Sequence, residues 1–328
     1  MKNIGLVGLG FIGKAHLNAY QQIENAQVTT ICTKKETMDT VYGGDFVTEY
    51  DDLLSKKEID IVDICLPTYL HEEYIIKAAK AGKHIICEKP LTLSVESANR
   101  ILKVVQEHGV KLFVGHVLRF WPEYKVFKTY SESDKLKEIK VVHAKRLGQV
   151  PNWSTWFQDP EKSGGALFDL HIHDIDFLYY LLGETESVYA VGHKNLLGAW
   201  DHVMTTLTFK NGGKAFVEAS QRMQSGYPFT MALRTQTDDS ILDFSVAAGE
   251  NIENLKDSQH QFRYYSNNKV VEIHVDDEDP FKNELAYFVN CIEKNEENTM
   301  IPLDEVMYTL KLLEAIQRSL ETESVVYL

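Results

Sequence analysis

Over its first 120 residues the chain alternates short, almost wholly apolar runs with amphipathic stretches. Ile4-Gly5-Leu6-Val7 opens the series, and residues 28–32, 59–66, 84–87 and 111–115 repeat the strand-like pattern despite Asp60 and Asp63 in the third run. Between them, residues 14–22, 71–81 and 94–108 have helical spacing; Gly82 and Gly109 close the last two, and Ser94 offers a cap. Apolar strands alternating with helices predict a doubly wound parallel sheet.

The pattern changes after residue 120. Residues 123–130 read as a short helix and 139–146 as a strand. Leu167, Leu170, Ile172, Ile175, Phe177 and Leu178 then predict a mostly buried helix that runs to Leu182 and stops at Gly183. A row of strand-like runs follows at 188–192, 203–209, 215–221, 229–235, 240–244 and 270–275, with Asn211-Gly212-Gly213 as a hairpin turn. Residues 281–293 and 303–321 are amphipathic helices. The expected division is a doubly wound parallel domain over 1–120 and an α/β domain over 121–328. One face of the second domain's strands packs on the central helix, and the other predicts a homodimer or homotetramer.

Composition narrows the function classes. A chain of 328 residues, 44% hydrophobic and 25% charged, suits two globular domains. A formal net charge of -14 argues against nucleic acid or an anionic membrane as partner. The amino terminus reads as a strand entering a turn rather than a signal sequence, and no run approaches the roughly 20 apolar residues of a membrane span. Four cysteines without C-x-x-C spacing point to a reducing cytoplasm.

The first candidate chemistry is Gly8-Leu9-Gly10-Phe11-Ile12-Gly13, which ends a strand and opens a helix. Gly8 permits the tight turn, Gly10 the approach of a pyrophosphate, and Gly13 the packing of helix on strand. At the end of the second strand, where an acid would bind the ribose of NAD, stand Thr33, Lys34 and Lys35. A hydroxyl and two cations suit the 2′-phosphate of NADP, unless both lysines simply face water. Pro67-Thr68 ends the third strand at the sheet edge, and Glu88-Lys89-Pro90 follows the fourth, placing Lys89 where such folds bind ligands.

Asp169 and His173, four apart on a helix, share a face and pair a carboxylate with an imidazole as general acid–base chemistry requires. His171 lies on another face, so the His-x-His spacing does not make a metal site. Trp153 and Trp156, beside Asn152, offer flat faces to a sugar ring or else pack an interface.

Together these motifs resemble the glucose–fructose oxidoreductase/inositol dehydrogenase/MocA family. The likeness rests on the glycine turn, Pro67 with His71, Cys87-Glu88-Lys89-Pro90, Arg119-Phe120, and Gly164-Gly165 through Asp169, His173 and Asp176. It implies a Rossmann domain followed by an α+β domain with an open, mostly antiparallel sheet, and Lys89, Asp169 and His173 as catalytic residues. Gly8, Gly10, Phe11, Ile12, Gly13, Thr33, Lys34, Leu66, Pro67, His71, Glu88 and Lys89 are the expected contacts of NAD or NADP. Arg119, Trp153 and Trp156 are those of a sugar, cyclitol or polyol substrate. Two departures are His171, where many members have glycine, and Thr33, where NAD-preferring members have an acid. An NAD-dependent glycosidase and a non-catalytic dinucleotide sensor are the alternatives.

Overall fold

Strands β1 (Lys2–Val7), β2 (Ala26–Cys32), β3 (Asp45–Val47), β4 (Ile61–Ile64), β5 (His84–Glu88) and β6 (Leu112–Gly115) pair in parallel in the order β3-β2-β1-β4-β5-β6. This is the doubly wound Rossmann order, whose switch point falls between β1 and β4. Helices α1 (Phe11–Tyr20), α2 (Tyr50–Ser55), α3 (His71–Lys80) and α4 (Val95–Glu107) make the crossovers. The Ser94 side chain caps α4 by accepting from the Ser97 N–H at 3.2 Å, a contact worth about 1 kcal/mol. The computed structural model describes residues 1–34, 43–150, 156–249 and 258–328.

The chain forms two units, Met1–Trp121 with Glu278–Met307, and Pro122–Asp277 with Tyr308–Leu328. The returning helix Pro280–Glu293 completes the first. Its Asp279 cap accepts from Phe281 N–H and Lys282 N–H, and Phe288 meets Phe113 and Phe120 at ring-centroid distances of 4.9 and 6.0 Å. Burial of each such ring is worth about 1.5–3 kcal/mol, so this helix belongs to the core of the parallel sheet.

The second unit begins with α5 (Pro122–Ser131) and β7 (Val141–Leu147). After the short α6 (Pro160–Ser163) comes a π turn, Leu167–His171, that runs into α7 (Ile172–Leu182). The expected single helix is thus helical throughout, with an irregular first turn. Strands β8 (Thr185–Lys194), β9 (Trp200–Phe209), β10 (Lys214–Ser220), β11 (Thr230–Gln236), β12 (Ser240–Ala247), β13 (Gln259–Ser266), β14 (Lys269–Glu272) and β15 (Val326–Tyr327) complete a nine-stranded sheet. Its order is β14-β13-β12-β11-β7-β10-β9-β8-β15, antiparallel except where β7 meets β10.

Arg146, projecting from β7, reaches both carboxylate oxygens of Asp174 on α7 at 3.1 Å and the Tyr124 hydroxyl at 3.2 Å, all buried. On the opposite face Val141, Tyr189, Val191 and Phe216 are 43, 39, 41 and 40% exposed. The four cysteines are unbridged. Among the described residues no helix is long and apolar enough to cross a membrane.

Candidate active site

In the first unit, the glycine turn is shaped by close packing. Gly8 has φ +94°, and a Cβ there would lie 2.5 Å from the Cys65 carbonyl oxygen; at Gly13 it would lie 2.1 Å from the Gly8 carbonyl oxygen. At Gly10, the cap of α1, a Cβ would meet nothing within 4 Å. The first-turn N–H groups of a helix have no intrahelical partner, and the helix dipole is positive at that end. Open space beside such N–H groups fits a dinucleotide pyrophosphate. Phe11 and Ile12, half-buried, complete the turn.

At the end of β2, Thr33 is half-buried and its N–H donates to the Val47 carbonyl at 3.0 Å, while Lys34 is exposed. Lys35 lies outside the described residues. Leu66 and Pro67 are half-buried at the end of β4. His71 is wholly buried, with Nδ1 2.9 Å from the Pro90 carbonyl and Nε2 2.8 Å from that of Leu66. Burial pushes its pKa down against both carbonyls. The neutral ring, with one N–H to donate, packs between the segment after β4 and the segment after β5.

A buried polar chain anchors Lys89. The Glu88 carboxylate accepts from the Lys89 N–H at 3.2 Å and meets His16 Nε2 at 3.1 Å. His16 Nδ1 lies 2.8 Å from Asp63, which also accepts from Tyr20 at 3.0 Å. Burial disfavours the imidazolium, but Cys65 and Asp63 outweigh it and raise the His16 pKa well above the ordinary value. Burial pushes the Cys65 thiol up to about 12. Glu88, opposed by burial and favoured by His16, is held below the usual carboxylate range. Nδ1 of His16, the Cys65 sulfur and an Asp63 oxygen lie within 4.8 Å of one another, a donor set of metal-ligating type that these hydrogen bonds already account for.

Arg119 is 1% exposed, and its guanidinium donates to the Met300 carbonyl at 2.8 Å and pairs with Glu305, both within the first unit.

In the second unit, Gly165 has φ +68° and sits where a Cβ would lie 2.5 Å from the Trp200 carbonyl oxygen. That approach seats the π turn carrying Asp169 against the start of β9. Such turns are rare and recur at functional sites. Asp169 and His173 are half-buried. His171, beside them, is wholly buried, with Nε2 2.9 Å from the Thr205 hydroxyl, and burial lowers its pKa to about 3. Its ring points toward β9 of the sheet.

Asp169 accepts a hydrogen bond from Gln221 Nε2 at 2.7 Å. Trp156 stacks on Phe157 at 4.0 Å; Trp153 and Asn152 lie outside the described residues. The sequence reading misses His16, Tyr20 and Gln221 altogether. Asp63 leaves a trace, as an acid in an otherwise apolar strand.

Residues 2–116 match the family model for the GFO/IDH/MocA oxidoreductase family, NAD-binding Rossmann fold, and residues 124–238 match the GFO/IDH/MocA C-terminal domain. An uncharacterised oxidoreductase of Bacillus subtilis, YrbE, is 29% identical over 343 residues, covering 96% of this chain and 93% of its own. The inositol 2-dehydrogenase of Rhizobium meliloti is 32% identical over 243 residues, covering 68% of this chain and 70% of its own. Among solved structures, the WlbA dehydrogenase of Bordetella pertussis, in complex with NADH and UDP-GlcNAcA, superposes with a TM-score of 0.82 at 24% identity, over 100% of this chain and 97% of that one.

Proposed function

The chain belongs to the GFO/IDH/MocA family of oxidoreductases, and on that footing we propose that it passes hydride between a nicotinamide dinucleotide and a sugar, cyclitol or related polyol. The observation that carries the reading is the cradle: open space at Gly10, at the amino end of α1, on a sheet of Rossmann order. The inositol dehydrogenase relative supports a polyhydroxylated substrate.

When bound, the nicotinamide supplies the hydride acceptor. In the oxidative direction His173 accepts the alcohol proton, a role suited to an imidazole, which exchanges protons near neutrality. Asp169 orients His173 and stabilises its charged form. The Lys89 ammonium, on a segment anchored through Glu88, donates to the reacting oxygen and stabilises negative charge developing there. Trp156 offers an apolar face to the ring. Thr33 and Lys34 suit a 2′-phosphate, so NADP is the favoured form. A second copy covers the open sheet face at Val141, Tyr189, Val191 and Phe216, and the unbridged cysteines fit a reducing cytoplasm.

The test is a panel of sugars and polyols with NAD and NADP, followed by absorbance of the reduced cofactor. His173→Ala and Lys89→Met each lower turnover by about 100-fold or more, and dinucleotide binding survives in His173→Ala. Wild-type turnover in both variants overturns the reading. Higher kcat/KM with NAD overturns the cofactor preference, and a monomer in sedimentation at micromolar concentration overturns the assembly.

A further inference from the structure

We infer that Gln221 is a positioning residue for Asp169, fixing the direction in which that carboxylate faces His173 and the substrate; the inference rests on the catalytic reading of Asp169 given above. Asp169 sits within the π turn, a rare interruption of the regular i→i−4 ladder that recurs at functional sites. Gln221 Nε2 donates to Asp169 Oδ2 at 2.7 Å from a residue only 3% exposed.

Gln221 is itself held on three sides. It follows the last residue of β10, a strand paired on both edges, with β7 and with β9. Its N–H donates to the Asp201 carbonyl at 2.8 Å. The next residue, Arg222, donates its N–H to the Ser220 hydroxyl at 3.0 Å and reaches the Asp201 carboxylate at 3.4 Å. The amide therefore projects from a hydrogen-bonded strand end onto a carboxylate in an irregular turn.

The chemistry explains why an amide stands there. A lysine or arginine would also hold the carboxylate, but would bring a full positive charge that competes with His173 for it. The amide N–H donates at every pH and carries no charge. It orients Asp169 and leaves the anion's field to act on the imidazolium that forms during turnover.

Gln221→Glu keeps the shape but makes the donor conditional, because a carboxyl donates only while protonated. Two carboxyls at hydrogen-bond distance do not both ionise freely, and they titrate as a pair. With the best substrate of the panel, this variant is expected to show an additional ionisation in its kcat profile between about pH 5 and 9, absent from wild type. Gln221→Leu has no group to titrate. It is expected to lower kcat by about tenfold or more without adding an ionisation, and to leave the dinucleotide Kd within about twofold, since the cradle lies in the first unit.

A wild-type kcat profile in Gln221→Glu overturns the inference, as does wild-type kcat in Gln221→Leu. Should the leucine variant fail to fold, the isosteric glutamate variant decides alone. Asp169→Asn separates the two layers. Full activity in Asp169→Asn overturns the catalytic reading beneath, whereas an inactive Asp169→Asn together with an unaltered Gln221→Glu profile overturns the role of Gln221 only.

Discussion

Alanine at Gly10 and at Gly13 separates two demands that the glycine turn meets at once. Gly10 has φ -76° and ψ -159°, a backbone open to any residue, and an added Cβ meets no atom within 4 Å. Alanine there gains about 0.4–1 kcal/mol by restricting the unfolded chain. Glycine is better than alanine at a helix cap by about 0.5–1 kcal/mol, which offsets the gain. Gly10→Ala should thus change stability by less than about 1 kcal/mol, or roughly 2–4 °C in Tm for a unit of this size. The methyl nevertheless stands where the pyrophosphate approaches. Loss of one charge-assisted hydrogen bond costs about 1.5–3 kcal/mol, so dinucleotide affinity should fall about 10- to 150-fold. Gly13→Ala behaves differently, because its Cβ would lie 2.1 Å from the Gly8 carbonyl oxygen and α1 must move off β1 to admit it. Overpacking against backbone costs about 1–3 kcal/mol, enough to lower Tm by about 2–12 °C before any ligand is added. Thermal melts and fluorescence titration with NADH and NADPH read both quantities. Gly10→Ala binding within twofold of wild type, or Gly13→Ala melting with wild type, would refute the reasoning.

Arg146→Met leaves Asp174 buried without its bidentate partner and should cost about 3–5 kcal/mol in urea denaturation, with much of the loss recovered in the Arg146→Met/Asp174→Leu pair. An unchanged urea midpoint in the single variant would show that the pair contributes nothing. His171 titrates at about 3 when folded and near 6.5 when unfolded, so between those values the unfolded chain binds the extra proton. Its stabilisation is complete above about pH 6.5 and is lost as pH falls toward 3, with a slope of at most about 1.4 kcal/mol per pH unit. His171→Leu should flatten that acid slope in denaturation curves collected from pH 7 to about 4, and an unchanged slope would remove His171 from the acid sensitivity.

Local signals carried the first unit well, because a parallel strand buried on both faces must be apolar along its length. β1 and β5 read as such runs, and helices α3 and α4 carry their own stops at Gly82 and Gly109. What escaped were elements with no such pattern. β3 is three residues long with no buried position, and β13 buries only Phe262 among eight residues, so neither shows the alternation that marks a half-buried strand. The return of Glu278–Met307 to the first unit has no local signature. Phe288 looks the same in sequence whether its partners are Phe113 and Phe120 or residues of the second sheet.

The same distinction orders the site. Gly8, Gly10 and Gly13 were readable because they share one strand–turn–helix, although the close neighbour of Gly8, the Cys65 carbonyl, lies far along the chain. Arg119 and His71 mark the limit of residue type, because a buried cation or imidazole and one awaiting a ligand have the same side chain. Only partners 186 and 5 residues away, Glu305 and the Leu66 carbonyl, show that these two are already engaged. Gln221 is the extreme case. A lone glutamine at a strand end carries no chemical signal, and its hydrogen bond reaches a residue 52 positions earlier. Residues that touch the reactants announce themselves by type, whereas residues that aim them are defined by the fold. His16, Glu88 and Gln221 belong to the second kind, which is why sequence motifs name the groups expected to do the chemistry before they reveal what holds those groups in place.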